Sequence, residues 1–209
     1  MDVAITKYSG ETTGRKVNLS SEVFGIEPND HAIWLDVKSY LANQRQGTHK
    51  SKQRNEITGS SKKIKKQKGT GGARAGNIKN PLFKGGGRVF GPAPRDYSFK
   101  LNKKVKDLAR KSALTYKAKD NSIAIIEDFN FDAPKTKQYI SMLKSLGVTS
   151  QKTLLVLPES NHNIASSGRN IQNTKIITAS QINTYDLINA DKLILVESSV
   201  GKINSLLNK

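Results

Sequence analysis

The sequence predicts an α/β fold: a mostly parallel sheet covered by helices on both faces, with a long basic glycine-rich loop inserted between two helices. Three observations carry this. From residue 122 onward, short apolar runs alternate with helical patterns, as parallel strands joined by crossover helices do. Two segments with helical periodicity stand on either side of the chain's middle. Between them charge and glycine concentrate while large apolar residues thin out.

Taken in order, DVAITKY and GRKVNLS pair as an N-terminal accessory hairpin. Asn29 or Asp30 caps a first helix whose apolar positions Ile33, Trp34, Val37, Tyr40 and Leu41 form one buried face. Asn102 caps a second helix, KKVKDLARKSALTYKAK, with Val105, Leu108, Ala109, Ser112, Ala113 and Tyr116 on one face. Both bracketing helices are expected to pack on the sheet. SIAIIED (122–128), TLLVLP (153–158), KIITAS (175–180) and KLILVES (192–198) read as strands. APKTKQYISMLKSLG reads as a helix between Pro134 and Gly147, Asn161–Ser167 as a short segment, and SVGKINSLLN as a closing amphipathic helix. Residues 1–209 are therefore expected to form a single α/β domain, with 47–95 as the inserted loop.

Charge sharpens the reading of that loop. The chain carries 35 Lys and Arg against 17 Asp and Glu, a formal +18. Residues 44–111 hold 20 of the cations and only the acids Glu56, Asp96 and Asp107, so almost the whole excess lies there. Residues 44–100 offer nine large apolar side chains, too few to offset the entropy of ordering that length by burial. A flexible linker between two domains is the plainer alternative. Against it stand specified turns: a Pro-Leu-Phe cluster, the Gly85-Gly86-Gly87 triplet and the FGPAPRD corner.

Several function classes fall away. Gly71 and Gly76 have P-loop spacing, but Asn77 and Ile78 follow where Lys and Ser or Thr are needed. The dinucleotide pattern begun by Gly69 and Gly71 meets Arg74 at its third glycine. Glu127, Asp128 and Glu159, at strand ends, read as solvated carboxylates or caps in preference to catalytic acids. With no Cys, and with His31, His49 and His162 scattered, neither a disulfide nor a metal site is indicated. No cofactor is expected, and the chain reads as a cytosolic non-enzyme with neither a signal peptide nor a membrane span.

What remains is a polyanionic partner. Lys and Arg gain affinity by releasing counterions condensed on phosphates. Glycine lets the backbone approach phosphate closely, and Phe83 and Phe90 suit stacking on unpaired bases. Folded back on itself, 47–95 spans at most ~80 Å at roughly 3.3 Å per residue, a reach suited to the crevices of a large folded RNA.

RQGTHKSKQR (45–54), EITGSSKK (56–63), QKGTGGARAGNIKNPLF (67–83) and GGGRVFGPAPRDYSFKLNKKV (85–105) closely resemble the bacterial large-subunit ribosomal protein L-four family. The resemblance is dense from Arg45 to Ala113, with looser matches at DAPKTK and NTYDLI. It implies an α/β domain on the large-subunit surface that binds ribosomal RNA, supports assembly and contacts neighbouring ribosomal proteins. It also implies a loop tip, Gln67, Lys68, Gly69, Thr70 and Gly71, at the wall of the nascent-peptide exit tunnel. RNA-binding residues carried by the basic segment are Arg45, Lys50, Lys52, Arg54, Lys62, Lys63, Lys65, Lys66 and Lys68 on the outgoing arm. Arg74, Lys79, Lys84, Arg88 and Arg95 follow on the returning arm, and Lys103 and Lys104 on the second helix. Gly72 stands where the family commonly has Arg or Lys, Ile64-Lys65 where Pro and an aromatic are frequent, and Phe83 where Trp is common. Some family members repress their own operon, so a repressor binding a messenger leader through the same loop is the second reading.

Overall fold

The computed structural model describes residues 1–208. Among them are six strands and seven α-helices: β1 (Asp2–Thr6), β2 (Thr12–Asn18), α1 (Ser21–Phe24), α2 (Asp30–Asn43), α3 (Lys103–Lys119) and β3 (Ile123–Ile126). The chain continues through α4 (Thr136–Ser145), β4 (Thr153–Leu157), α5 (His162–Gly168), β5 (Thr174–Thr178) and a 3₁₀ turn (Ala179–Gln181). It ends with α6 (Thr184–Asn189), β6 (Lys192–Val196) and α7 (Glu197–Leu207). Contacts divide the chain into two compact units, one formed by Met1–Leu41 with the chain from Lys100 onward, the other by Ala42–Phe99.

The first unit holds the whole sheet, in the order β2-β1-β3-β6-β4-β5. Only β1 and β2 pair antiparallel; every other neighbouring pair is parallel. The apolar runs read from the sequence are thus strands, those of β3, β4 and β6 buried on both faces and edge strand β5 only partly so, and successive residues feed two separate cores. Leu154, Val156, Leu193 and Leu195 pack with Phe24 of α1, Leu114 of α3 and Ile203 of α7. Leu155, Leu157, Ile194 and Val196 pack on the opposite face with Tyr139, Met142 and Leu143 of α4 and Ile164 of α5. Each fully buried aliphatic side chain contributes about 1.5–3 kcal/mol, so the two cores hold this unit together.

Two helix faces differ from expectation. In α2, Trp34 and Leu41 are exposed, and the buried residues are Ala32 and Ser39. The helix does not lay an apolar stripe on the sheet but docks on other helices through polar and aromatic contacts. Asn29 does cap it, its side-chain oxygen accepting from the Ala32 amide at 2.9 Å. The Asn29 amide donates to Ser112 Oγ in α3 at 3.1 Å. Thr184 Oγ1 in α6 donates to Asp36 at 2.5 Å, and Tyr40 stacks on Tyr185 with centroids 5.0 Å apart. In α3, Leu108 and Tyr116 lie outward, while Leu114, Thr115 and Ala118 are buried beside Ala109, Ser112 and Ala113. The second half of α3 sits between sheet and helices, so it is covered on more than one side.

Side-chain caps start two of the short helices. Asn161 Oδ1 accepts from the amides of Asn163 and Ile164 at 3.0 and 3.3 Å, starting the seven-residue α5. Asn161→Ala is expected to cost about 0.5–2 kcal/mol, read as a lowered urea midpoint at unchanged slope. Helix α6, too short for a periodic pattern, is started by Asn183 Oδ1 accepting from the Asp186 amide at 2.8 Å. The Asp186 carboxylate, nearly buried, is held by Lys175 Nζ at 2.6 Å and by Asn183 Nδ2.

Candidate nucleic-acid interface

Beyond the last two residues of α2, the second unit contains neither helix nor strand, and its backbone order comes from pairing between its two halves. The Arg95 amide donates to Gly47 O at 3.2 Å and Ser51 to Pro92 O at 3.0 Å. Arg88 donates to Lys52 O, and Ile64 to Gly76 O, both at 3.0 Å. Outgoing and returning arms are therefore antiparallel partners, and the innermost of these bonds encloses residues 65–75. Gln67, Lys68, Gly69, Thr70 and Gly71 lie within that turn, all exposed.

Glycine is required where the arms touch. Gly47 has φ +63°, and a Cβ there would lie 2.0 Å from Arg95 O and 3.0 Å from the Tyr97 ring. At Gly87 a Cβ would fall 2.3 Å from the Arg54 amide nitrogen. Gly47→Ala is expected to cost about 1–2 kcal/mol for the left-handed backbone alone, with the overlap added. Amide hydrogen exchange should show faster exchange at Ser51, Arg88 and Arg95, with the sheet amides unchanged.

An aromatic clamp fastens the base of the arms. Tyr97 lies between two guanidinium groups, Arg45 at 3.8 Å and Arg95 at 4.4 Å from its centroid. Its hydroxyl is 3.3 Å from His49 Nε2. Two of the cations read as phosphate ligands are thereby preset on one ring, worth about 0.5–1 kcal/mol each at an exposed site. Tyr97 has no signature in the sequence: its partners lie 52 residues upstream and two residues before it, with no period linking them. Further along, Arg54, Asn77, Lys79 and Arg88 line a cavity of about 510 Å³, with Arg54 Nη2 donating to Asn77 Oδ1 at 3.2 Å.

Neutralisation inside this unit is slight. Among its described residues the one ion pair is Lys50 Nζ to Glu56 at 2.5 Å. That bond, with a second from the Gln53 amide, holds the Glu56 carboxyl below the usual range. Asp96 is lowered likewise, by the amide and then the hydroxyl of Ser98. Lys63 donates to Gln67 at 2.9 Å. Lys62, Lys65, Lys66, Lys68, Arg74, Lys84 and Arg88 are exposed and form no ion pair, and Lys79 is half-buried. Phe90 is fully exposed and Leu82 is 87% exposed, whereas Phe83 is half-buried. Of the two aromatics expected to stack on bases, the structure leaves Phe90 open.

In the first unit, Lys103 and Lys104 are exposed in the opening turn of α3, which has no acidic residue. Cations there oppose the helix dipole, a local cost that an anionic partner relieves. The carboxylates considered as catalytic are tied into the scaffold. Arg15 bridges Glu127 at 2.7 Å and Glu197 at 3.3 Å, Ser198 donates to Asp128, and Lys202 pairs with Glu159 at 2.7 Å. No helix among the described residues is long and apolar enough to cross a membrane.

An α/β scaffold carrying a basic segment with a single internal ion pair has the charge distribution expected of a protein with a polyanionic partner. Residues 17–206 match the profile of the ribosomal protein L4/L1 family. The chain is 59% identical over 208 residues to the large ribosomal subunit protein uL4 of Amoebophilus asiaticus, covering 100% of this chain and 99% of that one. It is 58% identical to its counterpart in Flavobacterium johnsoniae over the full length of both, and 60% identical to that of Parabacteroides distasonis over 97% of each. The chain belongs to the ribosomal protein L4/L1 family. It is a ribosomal protein and not an enzyme.

Proposed function

We propose that the protein is a structural constituent of the large ribosomal subunit that binds large-subunit ribosomal RNA chiefly through residues 42–99. One observation carries this reading: a segment that past α2 has neither helix nor strand nor apolar core presents a row of exposed cations with a single internal ion pair. Such a surface is self-repelling alone, and phosphates supply the missing countercharge. The fully exposed Phe90 adds a platform for an unpaired base.

Arg45 and Arg95, preset on Tyr97, hold phosphates at the base of the arms. Lys50, Lys52, Arg54, Lys79, Lys84 and Arg88 serve their middle, and Lys62, Lys63, Lys65, Lys66, Lys68 and Arg74 the turn. Lys103 and Lys104 add contacts from α3. The turn Gln67–Gly71 forms the tip that reaches the exit-tunnel wall and meets the nascent peptide. A Cβ at Gly72 would lie 3.3 Å from Lys65 Nζ. Lys65 thus brings a cation to the place where the family commonly carries one at position 72. Neighbouring large-subunit proteins complete the set of partners.

Binding of the purified chain to large-subunit RNA fragments across a salt series tests the reading. Log K is expected to fall against log salt by about 0.7–0.9 per phosphate contacted. A flat response, or equal affinity for any duplex DNA, would overturn it.

A further inference from the structure

On the first unit, α2, α3 and α6 leave an apolar groove of about 510 Å³ between them. Ile33, Trp34 and Val37 form one wall, Ala113 and Tyr116 the floor, and Ile188 the other wall. Trp34 is the chain's single tryptophan and is 53% exposed; Ile188 is 46% and Tyr116 38% exposed. Trp34 is held in place by His31, stacked at 5.9 Å, and Lys38, whose Nζ lies 4.5 Å from the ring centroid. Contiguous apolar surface of this kind on a charged protein marks a contact site.

The groove's charges select the occupant. Asp30 and Asp120 stand at its edge. Asp30 accepts from the Tyr116 hydroxyl at 2.6 Å, while Asp120 accepts no side-chain hydrogen bond among the described residues. Lys117 also lines it, but its ammonium is bound to Ala190 O at 2.6 Å. Carboxylates beside an apolar wall disfavour RNA, whose phosphates they repel. They equally disfavour a second copy of this chain, because a two-fold contact would bring the same acids together. A cationic apolar segment meets both demands, filling the groove and giving Asp120 a partner. Proteins sharing an RNA particle carry such segments for the reason this chain carries its own, the countercharge that phosphates require.

We infer that this groove docks a segment of a different ribosomal protein, with Lys or Arg beside aliphatic or aromatic side chains. The inference rests on the chain's place in the large subunit and is independent of which RNA residues 42–99 contact.

The test replaces Trp34 with the photo-crosslinking residue p-benzoylphenylalanine in cells depleted of the unmodified chain. Large subunits are isolated by sedimentation, irradiated, and the adduct is identified by mass spectrometry. The expected result is an adduct to one peptide of another ribosomal protein, bearing Lys or Arg among apolar residues. Adding Asp120→Lys should cut its yield about tenfold, since it sets like charges together. An adduct to RNA or to a second copy, or entry into subunits with no adduct, would overturn the inference. Should the Trp34 label impair folding, the same photo-residue at Ile188 gives the same reading from the opposite wall. Sedimentation of the unlabelled chain separates the two failures: no entry sinks the ribosomal reading, whereas entry without an adduct sinks the groove.

Discussion

Replacing Lys62, Lys63, Lys65, Lys66 and Lys68 together with glutamine is expected to lower affinity for large-subunit RNA at least on the order of a hundredfold near 0.1 M salt. The salt slope should drop by about 3.5–4.5, since each lost phosphate contact removes roughly 0.7–0.9. All five side chains are exposed, and none has a carboxylate partner. The substitution therefore leaves both cores untouched, and the variant should melt with the unmodified chain. Filter binding or fluorescence anisotropy across a salt series reads the slope directly. A variant that binds with unchanged slope would remove the turn from the interface.

The second large effect concerns the scaffold. Ile194→Ala is expected to destabilise the first unit by about 2–5 kcal/mol, read as a lowered midpoint in urea. Ile194 is fully buried in β6, the strand flanked by β3 and β4, and lies in register with Ala124 on one side and Leu155 on the other. Its side chain joins the core beneath α4 and α5, where truncation leaves a cavity that rigid neighbouring strands do not close. The same truncation at Ile64, half-exposed on the outgoing arm, should stay within about 0.5 kcal/mol. A comparable loss at both positions would mean that the arms share the scaffold's core.

The scaffold was legible because its strands are unusual in composition. Leu154 to Leu157 and Leu193 to Val196 are apolar at every position, which only a strand covered on both faces requires. Helix α2 and its Asn29 cap were legible, but its buried face was not, because that face is polar. Asp36 and Thr184 meet through a hydrogen bond, a contact between residues 148 apart that no helical period announces. Helix α6 escaped notice for a related reason: six residues are too few for a stripe, and its start depends on the Asn183 cap. The basic segment was legible as charge but not as geometry. Composition located the cations of residues 44–111, while the clamp of Arg45 and Arg95 on Tyr97 depends on chain reversal. Gly47 and Gly87 were legible as glycines, yet only the approach of the opposite arm gives the reason for each.

If the turn of the second unit lies within large-subunit RNA, a radical source placed on it must cut that RNA. The chain has no cysteine, so Thr70→Cys provides a unique attachment point for an iron chelate that generates hydroxyl radicals. Thr70 is exposed at the turn, and no core contact is lost by the substitution. In assembled large subunits, strand cuts in ribosomal RNA are expected at a few clustered sites, and none in free duplex competitor. Subunits that contain the labelled chain but show no cuts above background would contradict it.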